Sequence, residues 1–212
     1  MSPRYALYFA PARESALWST AEAWLAQPEM ASLTVSARRY GFHATIKAPM
    51  ALGGSLGELQ AAVARFAAET VAVELTDLAP RLIGGFLALT TEPQPVALTD
   101  VAARAVKAFE PNRAPLSADE QARRLTAQLT PRQIELVGQY GYPYVLEQFL
   151  FHMTLTDRLD SSAQQSMMLA ATEWFAPALA EPALLDRLVI FEEAEPGAGF
   201  VRLDPDYLLM GA

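Results

Sequence analysis

A six-residue stretch occurs twice in this chain of 212 residues. Each copy reads aromatic, His, any residue, Thr, aliphatic, and the copies begin at Phe42 and Phe151. They contain both histidines of the chain, His43 and His152. The alternation of apolar and polar residues has the period of a β-strand with one buried face. The repeat therefore predicts two equivalent strands, each carrying one of the histidines.

The two faces of each predicted strand differ in character. The apolar residues should pack under helices; they are Phe42, Ala44 and Ile46 in one copy and Phe151, Met153 and Leu155 in the other. The polar residues point the opposite way; they are His43, Thr45 and Lys47, and His152, Thr154 and Thr156. Two polar faces of this kind indicate a shared site. The alternative is that each histidine is an ordinary core or surface imidazole and each threonine a strand former.

The residue types of the repeat suit chemistry on a phosphodiester. Imidazole has an unperturbed pKa near neutrality, so one ring can remove a proton while another delivers one. A threonine hydroxyl two residues along can donate to a phosphoryl oxygen on which charge develops. We therefore expect His43, Thr45, His152 and Thr154 to be the catalytic residues. Which histidine is the base and which the acid stays open at this stage.

Paired His-x-Thr-aliphatic motifs resemble the two-histidine (2H) phosphoesterase superfamily. Further stretches resemble the branch of that superfamily encoded beside phosphonate-utilisation genes; they are Arg4–Ala10, Arg39–Thr45, Gly84–Leu89, Arg113–Ser117 and Tyr140–Tyr144. The resemblance runs over nearly the full chain. It implies metal-independent action on cyclic or 2′-linked phosphodiesters, and a groove between two similar lobes.

Composition limits the class of protein and of partner. A hydrophobic content of 52% and a charged content of 19% are ordinary for a globular protein. The chain has no cysteine, hence no disulfide and no thiolate ligand. The net charge of −8 argues against binding a long nucleic acid, which requires many Lys and Arg contacts to phosphates. A small phosphorylated substrate remains compatible with it.

The sequence also gives expectations about the location, the cofactors and the oligomeric state of the protein. The N-terminal residues lack the pattern of a secretory signal, and no apolar run is long enough to span a bilayer. We expect a cytoplasmic protein that does not enter membranes. Asp and Glu are absent from both motifs, so we expect no metal site and no cofactor. The oligomeric state is open, with a monomer favoured.

The order of elements predicts an α+β protein. Strands are predicted at 4–9, at both motifs, and at 71–75, 81–91, 184–192 and 200–203, with Gly84 and Gly85 interrupting the region at 81–91. Helices are predicted at 15–27, from Ser55, at 95–109, twice within 117–141 and at 161–175, with a polar link at 29–38. We expect one domain over 1–212, with two pseudo-symmetric lobes at roughly 1–80 and 81–212, each an antiparallel sheet backed by helices. A helical insertion at about 111–141 lengthens the second lobe, and strands exchanged between lobes are allowed for.

Further residues are candidates for binding the substrate. Six basic residues lie between 104 and 132, where a solvated helix face is the ordinary interpretation. The competing hypothesis is that Arg113 or Arg124 pairs with a second phosphate of the substrate. The complete set of predicted substrate contacts is Tyr8, Arg39, Tyr40, Lys47, Phe86, Arg113, Arg124 and Thr156.

These observations favour metal-independent hydrolysis of a small cyclic phosphate. The resemblance implies 5-phosphoribosyl 1,2-cyclic phosphate as substrate, and a 2′,3′-cyclic nucleotide is the alternative within the same chemistry. Two other classes are a phosphometabolite sensor without turnover and a 2′,5′-RNA phosphodiesterase or ligase.

Overall fold

The predicted motif strands lie at the centre of one antiparallel sheet. The computed structural model describes residues 3–125 and 128–211. Its strands are β1 Arg4–Phe9, β2 Ala44–Met50, β3 Val73–Glu74, β4 Ala79–Ile83, β5 Phe86–Thr90, β6 Met153–Thr154, β7 Leu184–Leu185, β8 Arg187–Glu193, β9 Val201–Arg202 and β10 Tyr207–Leu208. Its α-helices are α1 Ala16–Ala26, α2 Val35–Tyr40, α3 Leu56–Ala68, α4 Val96–Ala108, α5 Ala118–Arg124, α6 Pro131–Tyr140 and α7 Ser161–Phe175. Short 3₁₀ helices cover Pro28–Leu33, Glu110–Asn112 and Leu146–Gln148.

The order of strands in the main sheet is β10-β8-β1-β2-β6-β5-β4, and β9 also pairs with β8. These pairings are antiparallel, and β3 pairs with β7 in a separate two-stranded sheet. The predicted α+β class with an antiparallel sheet backed by helices is confirmed. The two motif strands β2 and β6 pair directly, so the sheet is continuous through the motifs. Because β8 pairs with β1, strands from the C-terminal part of the chain extend the half of the sheet that contains His43.

The apolar face of the motif strands is covered by helices, as the alternation predicts. Its six apolar residues lie in the main core together with buried side chains of α1, α3, α4 and α7. The indole Nε1 of Trp24 in α1 also donates to the carbonyl of Leu155 at 2.9 Å. The opposite face of the sheet carries a smaller buried cluster that includes Tyr8, Phe191 and Phe200. Because this cluster is small, part of the face that carries the polar residues of the motifs is not covered by the core.

The predicted helical insertion forms α5 and α6, and its residues 126 and 127 lie outside the described residues. Both helices begin with a capping box, which the patterns Ser117-x-x-Glu120 and Thr130-x-x-Gln133 predict. In each box the hydroxyl accepts from the amide three residues on. The segment leading into α5 is attached to the end of β2, because the amide of Ala114 donates to the carbonyl of Ala51 at 2.9 Å. The insertion is thereby held beside the sheet, at the side where the polar face opens.

Two predictions of local structure are wrong, one of a loop and one of a strand. The polar link at 29–38 is helical, with a 3₁₀ turn followed by α2, and the buried side chains of Met30 and Ala37 anchor it to the core. Residues 81–91 are a hairpin rather than one interrupted strand. Gly84 and Gly85 form its two-residue turn with φ of 54° and 99°. Positive φ at both turn residues matches the twist of the paired strands and favours glycine.

The observed N-cap of α7 differs from the predicted one, because the run Ser161-Ser162-Ala163-Gln164 predicts Ser161 as the capping residue. The helix begins at Ser161, and its N-cap is Asp160, without a capping hydrogen bond from the side chain. The end of the helix at Phe175 agrees with the prediction.

Candidate active site

The two motifs meet in the centre of the main sheet. Ala44 of β2 lies directly opposite Met153 of β6. Because the strands are antiparallel, this register brings His43 beside Thr154 and Thr45 beside His152, and cross-strand neighbours lie about 5 Å apart at Cβ. The four side chains are half-buried and line one cavity of about 630 Å³. The structure thus brings the four predicted catalytic residues together.

Both imidazoles are held in the same way by the backbone. Nδ1 of His43 lies 2.8 Å from the carbonyl oxygen of Gly41, and Nδ1 of His152 lies 2.9 Å from that of Leu150. A carbonyl oxygen only accepts, so Nδ1 carries the proton in both rings, and in a neutral ring the lone pair is on Nε2. Thr45 Oγ1 lies 3.3 Å from Nε2 of His43 and donates to it. The backbone therefore leaves Nε2 of each ring as the reactive nitrogen.

Gly41 is needed for this arrangement on the His43 side. Its φ of 72° and ψ of 172° fall in a region that essentially only glycine adopts. A Cβ at this position would also lie 3.3 Å from Cε1 of Phe191. The unusual backbone directs the Gly41 carbonyl towards the imidazole that follows two residues later.

Aromatic rings surround His43. Tyr8 stacks on it with ring centroids 3.7 Å apart and an interplanar angle of 20°. Phe191 and Tyr40 lie at 6.2 and 6.3 Å. Burial lowers the pKa of His43 to about 4; the bond to the Gly41 carbonyl opposes this shift, and the nearby His152 adds to it. His43 is therefore neutral at pH 7 and offers a lone pair.

The surroundings of His152 are different. Its aromatic neighbour among the described residues is Phe86, with ring centroids 5.8 Å apart and an interplanar angle of 59°. Within the same part of the chain, no stacked ring covers His152 as Tyr8 covers His43. The two imidazoles are thus equivalent in their backbone contacts and unequal in their aromatic packing.

Arginine and tyrosine side chains line the same cavity as the histidines. They include the predicted residues Tyr8, Tyr40 and Arg124, and the residues Arg4, Arg123 and Tyr142, which were not predicted. Alternation along β1 places Arg4 on the same face as Tyr8, so the strand pattern could have identified it. Ser36, Glu120 and Pro143 also line the cavity. Their positions depend on α2 and on the insertion, for which the motifs give no signal.

Lys47 and Thr156 lie outside the cavity lining, contrary to the prediction. Leu7 is opposite Lys47 while Tyr8 is opposite Thr45, so β2 has one extra residue here, and this bulge ends the alternation. The ammonium group of Lys47 pairs with Glu110 at 2.5 Å and is buried. The alternation also ends after Thr154, because the amides of Leu155 and Thr156 both donate to the carbonyl of Leu87. Thr156 is fully buried, and its Oγ1 accepts from the amide of Leu87 at 3.0 Å.

Three further predicted contacts are also absent from the cavity lining. Arg39 pairs with the buried carboxylate of Glu193 at 2.6 Å. Arg113 pairs with Glu110 at 2.5 Å, a carboxylate that it shares with Lys47. Phe86 reaches the site only indirectly, through its contact with His152. Ion pairs formed in the fold explain the first two differences, since a sequence does not reveal which carboxylate a guanidinium will meet.

Residues 3–125 and 128–211 contain neither a metal-binding cluster nor a membrane-spanning helix. Within these ranges, no three His, Cys, Asp or Glu side chains come together in a way that could hold a metal ion. None of the helices in the described part of the chain has the length and hydropathy to cross a bilayer.

Curated proteins similar to this chain carry one shared name. The "Ribose 1,5-bisphosphate phosphokinase PhnN" of Janthinobacterium sp. (strain Marseille) is 40% identical over 223 residues, covering 93% of this chain and 49% of that protein. The protein of the same name from Laribacter hongkongensis (strain HLHK9) is 33% identical over 224 residues, covering 98% of this chain and 52% of its own. The chain spans about half the length of these curated relatives.

Solved structures and a family model complete the comparison. Structures titled "Crystal structure of phosphoesterase" and "Crystal structure of E.coli LigT complexed with 3'-AMP" each match with a TM-score of 0.47 at 14% identity, covering 99% of both chains. The model of the family described as "Protein of unknown function (DUF1045)" matches residues 45–201, which is most of the chain. The protein therefore belongs to the DUF1045 family, within the 2H phosphoesterase superfamily.

Proposed function

We propose that this protein hydrolyses a small cyclic phosphodiester by acid and base catalysis from its two histidines. The observation that carries the proposal is the shared geometry of the imidazoles. Each ring is fixed through Nδ1 to a backbone carbonyl, and both rings line one cavity together with the motif threonines. Fixed rings with a free Nε2 meet the geometric need of proton transfer.

His43 is the general base in this scheme. Its lowered pKa keeps it neutral at pH 7, so Nε2 can accept a proton from water. The oxygen of that water forms a new bond to phosphorus. His152, in its cationic form, donates the Nε2 proton to the ester oxygen as the bond from phosphorus to that oxygen breaks. The product is a phosphomonoester that carries a new hydroxyl, and exchange with solvent returns each ring to its starting state.

The threonines bind the phosphoryl group. Thr154 lies beside His43 and Thr45 beside His152, so their hydroxyls flank the space between the rings. Donation from both hydroxyls to the non-bridging oxygens stabilises the charge that develops there. Thr45 donates to His43 at 3.3 Å in the free protein, a long hydrogen bond that a bound phosphate would replace.

The proposed substrate is a cyclic phosphate of a phosphorylated pentose. The resemblance to the phosphonate-associated branch implies 5-phosphoribosyl 1,2-cyclic phosphate, and the curated relatives are named for a ribose bisphosphate. Their kinase name is not proposed for this chain. The sequence has no G-x-x-x-x-G-K-[ST] motif to bind nucleotide phosphates, and the relatives have a further half that this chain does not span.

The test is hydrolysis of two cyclic phosphates, followed by phosphorus NMR in the presence of EDTA. The purified chain is incubated with 5-phosphoribosyl 1,2-cyclic phosphate and, separately, with a 2′,3′-cyclic nucleotide. We expect conversion of the first to a phosphomonoester, undiminished by EDTA. Tight saturable binding without product would instead favour a sensor, and loss of turnover with EDTA would contradict the metal-independent scheme.

A further inference from the structure

Two arginines approach one end of the cavity from different parts of the chain. Arg4 begins β1, and Arg124 ends α5 in the insertion. Both line the cavity, and Arg124 donates to the carbonyl of Pro49, whose neighbour Met50 lies opposite Tyr5, the residue after Arg4. Burial lowers the pKa of Arg124, and the positive charge of Arg4 lowers it further. Two neighbouring guanidinium groups repel each other unless anions compensate both charges.

The carboxylates nearby do not balance this charge. Arg124 donates to the main-chain carbonyls of Gly141 and Pro49, and no carboxylate of a described residue pairs with it. Glu120 lines the cavity, but its Oε2 accepts from the amide and the hydroxyl of Ser117 at 3.0 and 2.9 Å. Glu120 raises the pKa of Arg124 and so offsets part of the positive charge, but it is one carboxylate beside the two guanidinium groups of Arg4 and Arg124 in the cavity lining.

The pairing of Arg4 also leaves positive charge over. Its Nε donates to Glu193 at 2.5 Å, and Arg39 binds the same carboxylate at 2.6 Å. One negative charge thus serves two guanidinium groups. The terminal nitrogens of Arg4 make no hydrogen bond to any residue that the structure describes, so they can bind a ligand.

The hydroxyl of Tyr8 is a further unpaired polar group in the cavity lining among the described residues. Tyr8 is 1% exposed and lines the cavity, and its hydroxyl makes no hydrogen bond with any residue in the described ranges. Tyr40 and Tyr142 line the same cavity and are near enough to Tyr8 to affect it electrostatically. Burial raises the pKa of Tyr142 to about 12, so at neutral pH it is a hydrogen-bond donor. Hydroxyl donors beside arginines are suited to an oxyanion.

We propose that Arg4 and Arg124, with the hydroxyl of Tyr8, form a second anion site that binds a phosphomonoester on the substrate. Guanidinium groups match phosphate oxygens in a bidentate geometry, and a dianion would balance the two charges. Tyr8 stacks on His43 and lies opposite Thr45, so it joins this site to the histidines, whereas Arg4 lies four residues further along β1, about 13 Å away at Cα. Arg4 and both histidines line one cavity of about 630 Å³, a volume that a small phosphorylated sugar can occupy.

This inference rests on the proposed function only for the identity of the whole substrate. Binding of a phosphomonoester tests the anion site without any catalytic turnover. The probe is ribose 5-phosphate, with ribose as its unphosphorylated counterpart, titrated by calorimetry. We expect wild type to bind ribose 5-phosphate and not ribose. Arg124→Gln and Arg4→Gln should each raise its Kd at least tenfold, and Arg124→Lys should raise it less. Arg132→Gln, which removes an exposed charge from α6 outside the cavity lining, should leave it unchanged.

The outcomes separate the anion site from catalysis. A double variant His43→Ala/His152→Ala that still binds ribose 5-phosphate supports the site even if no cyclic phosphate is hydrolysed. Absence of binding to wild type, an unchanged Kd in folded Arg124→Gln and Arg4→Gln, or binding that depends on the histidines instead would overturn it. A kinetic comparison uses ribose 1,2-cyclic phosphate with and without a 5-phosphate. Wild type should have the higher kcat/KM for the 5-phosphorylated substrate, and Arg124→Gln should reduce the ratio of the two kcat/KM values at least tenfold. Circular dichroism checks that each variant is folded.

Discussion

Ala44 lies opposite Met153 where β2 pairs with β6, and this register places each motif histidine beside the threonine of the other motif. The site is therefore assembled across the strand pair rather than within either motif. Neither strand alone would provide the base, the acid and the two hydroxyls of the proposed mechanism. Predictions about single residues follow from this crosswise arrangement.

Replacement of either histidine should remove most activity. We expect His43→Ala and His152→Ala each to lower kcat on the cyclic phosphate by about 10²–10⁴-fold, the usual contribution of one positioned acid or base. Each side chain is half-buried and is hydrogen-bonded to one main-chain carbonyl, that of Gly41 for His43 and that of Leu150 for His152, so the variants should fold. Turnover is measured by phosphorus NMR and folding by thermal melting. Wild-type turnover in either folded variant would contradict the mechanism.

The pKa of His43 should depend on Tyr8. In wild type we expect an imidazole pKa of about 4 for His43, because the stacked ring buries it. Tyr8→Ala should raise this pKa by roughly one unit or more towards 6.5, because the charged ring regains water. Tyr8→Phe keeps the ring and should leave the pKa low. Since the chain has two histidines, NMR titration gives two imidazole signals, which His152→Ala assigns.

The same shift predicts how stability depends on pH. The folded pKa of His43 lies below the unfolded value of 6.5, so the unfolded chain takes up this proton first as the pH falls. Stability contributed by neutral His43 is complete above pH 6.5 and is lost between 6.5 and about 4, by at most about 3 kcal/mol. Denaturant unfolding of wild type and His43→Gln across this range measures the difference. Parallel curves for the two proteins would contradict the shift.

Gly41 should be intolerant of a side chain. Gly41→Ala should destabilise the fold by about 1–3 kcal/mol, because its backbone lies in a region restricted to glycine. It should also reduce activity, since the Gly41 carbonyl orients His43. Gly138→Ala is the matched control. Gly138 lies in α6, and a Cβ added there would meet open space, so alanine should stabilise the protein by about 0.5–1 kcal/mol. Equal effects of the two substitutions would be inconsistent with this account.

Thr154 and Thr156 should respond in opposite ways. Thr154→Val removes a donor at the cavity and should lower kcat by about 10²–10³-fold with little change in stability. Thr156→Val leaves the buried Leu87 amide without its acceptor and should cost about 1–3 kcal/mol of stability. Its turnover, measured well below the melting temperature, should stay near wild type. The reverse pattern would show that Thr156, rather than Thr154, binds the substrate.

The repeat predicted the buried and polar faces of the motifs correctly as far as Thr45 and Thr154, because period-two alternation depends only on local backbone geometry. It failed one step later, at Lys47 and Thr156. Both irregularities involve the partner strand: β2 has an extra residue opposite Leu7 and Tyr8, and the amides of Leu155 and Thr156 share the carbonyl of Leu87. Capping boxes and the ends of α1, α4 and α7 were likewise local, and were predicted closely.

The amino-acid sequence by itself determined the α+β class, the two motif strands and the four residues on their polar faces, since these follow from short-range periodicity and from the scarcity of histidine. Only the tertiary structure decided which charges remain available in the cavity. Arg39, Arg113 and Lys47 find carboxylates in the fold, whereas Arg124 finds only carbonyls among the residues that the structure describes. Ion pairing is decided by distance in space between residues far apart in the chain, and composition or spacing carries no record of that distance.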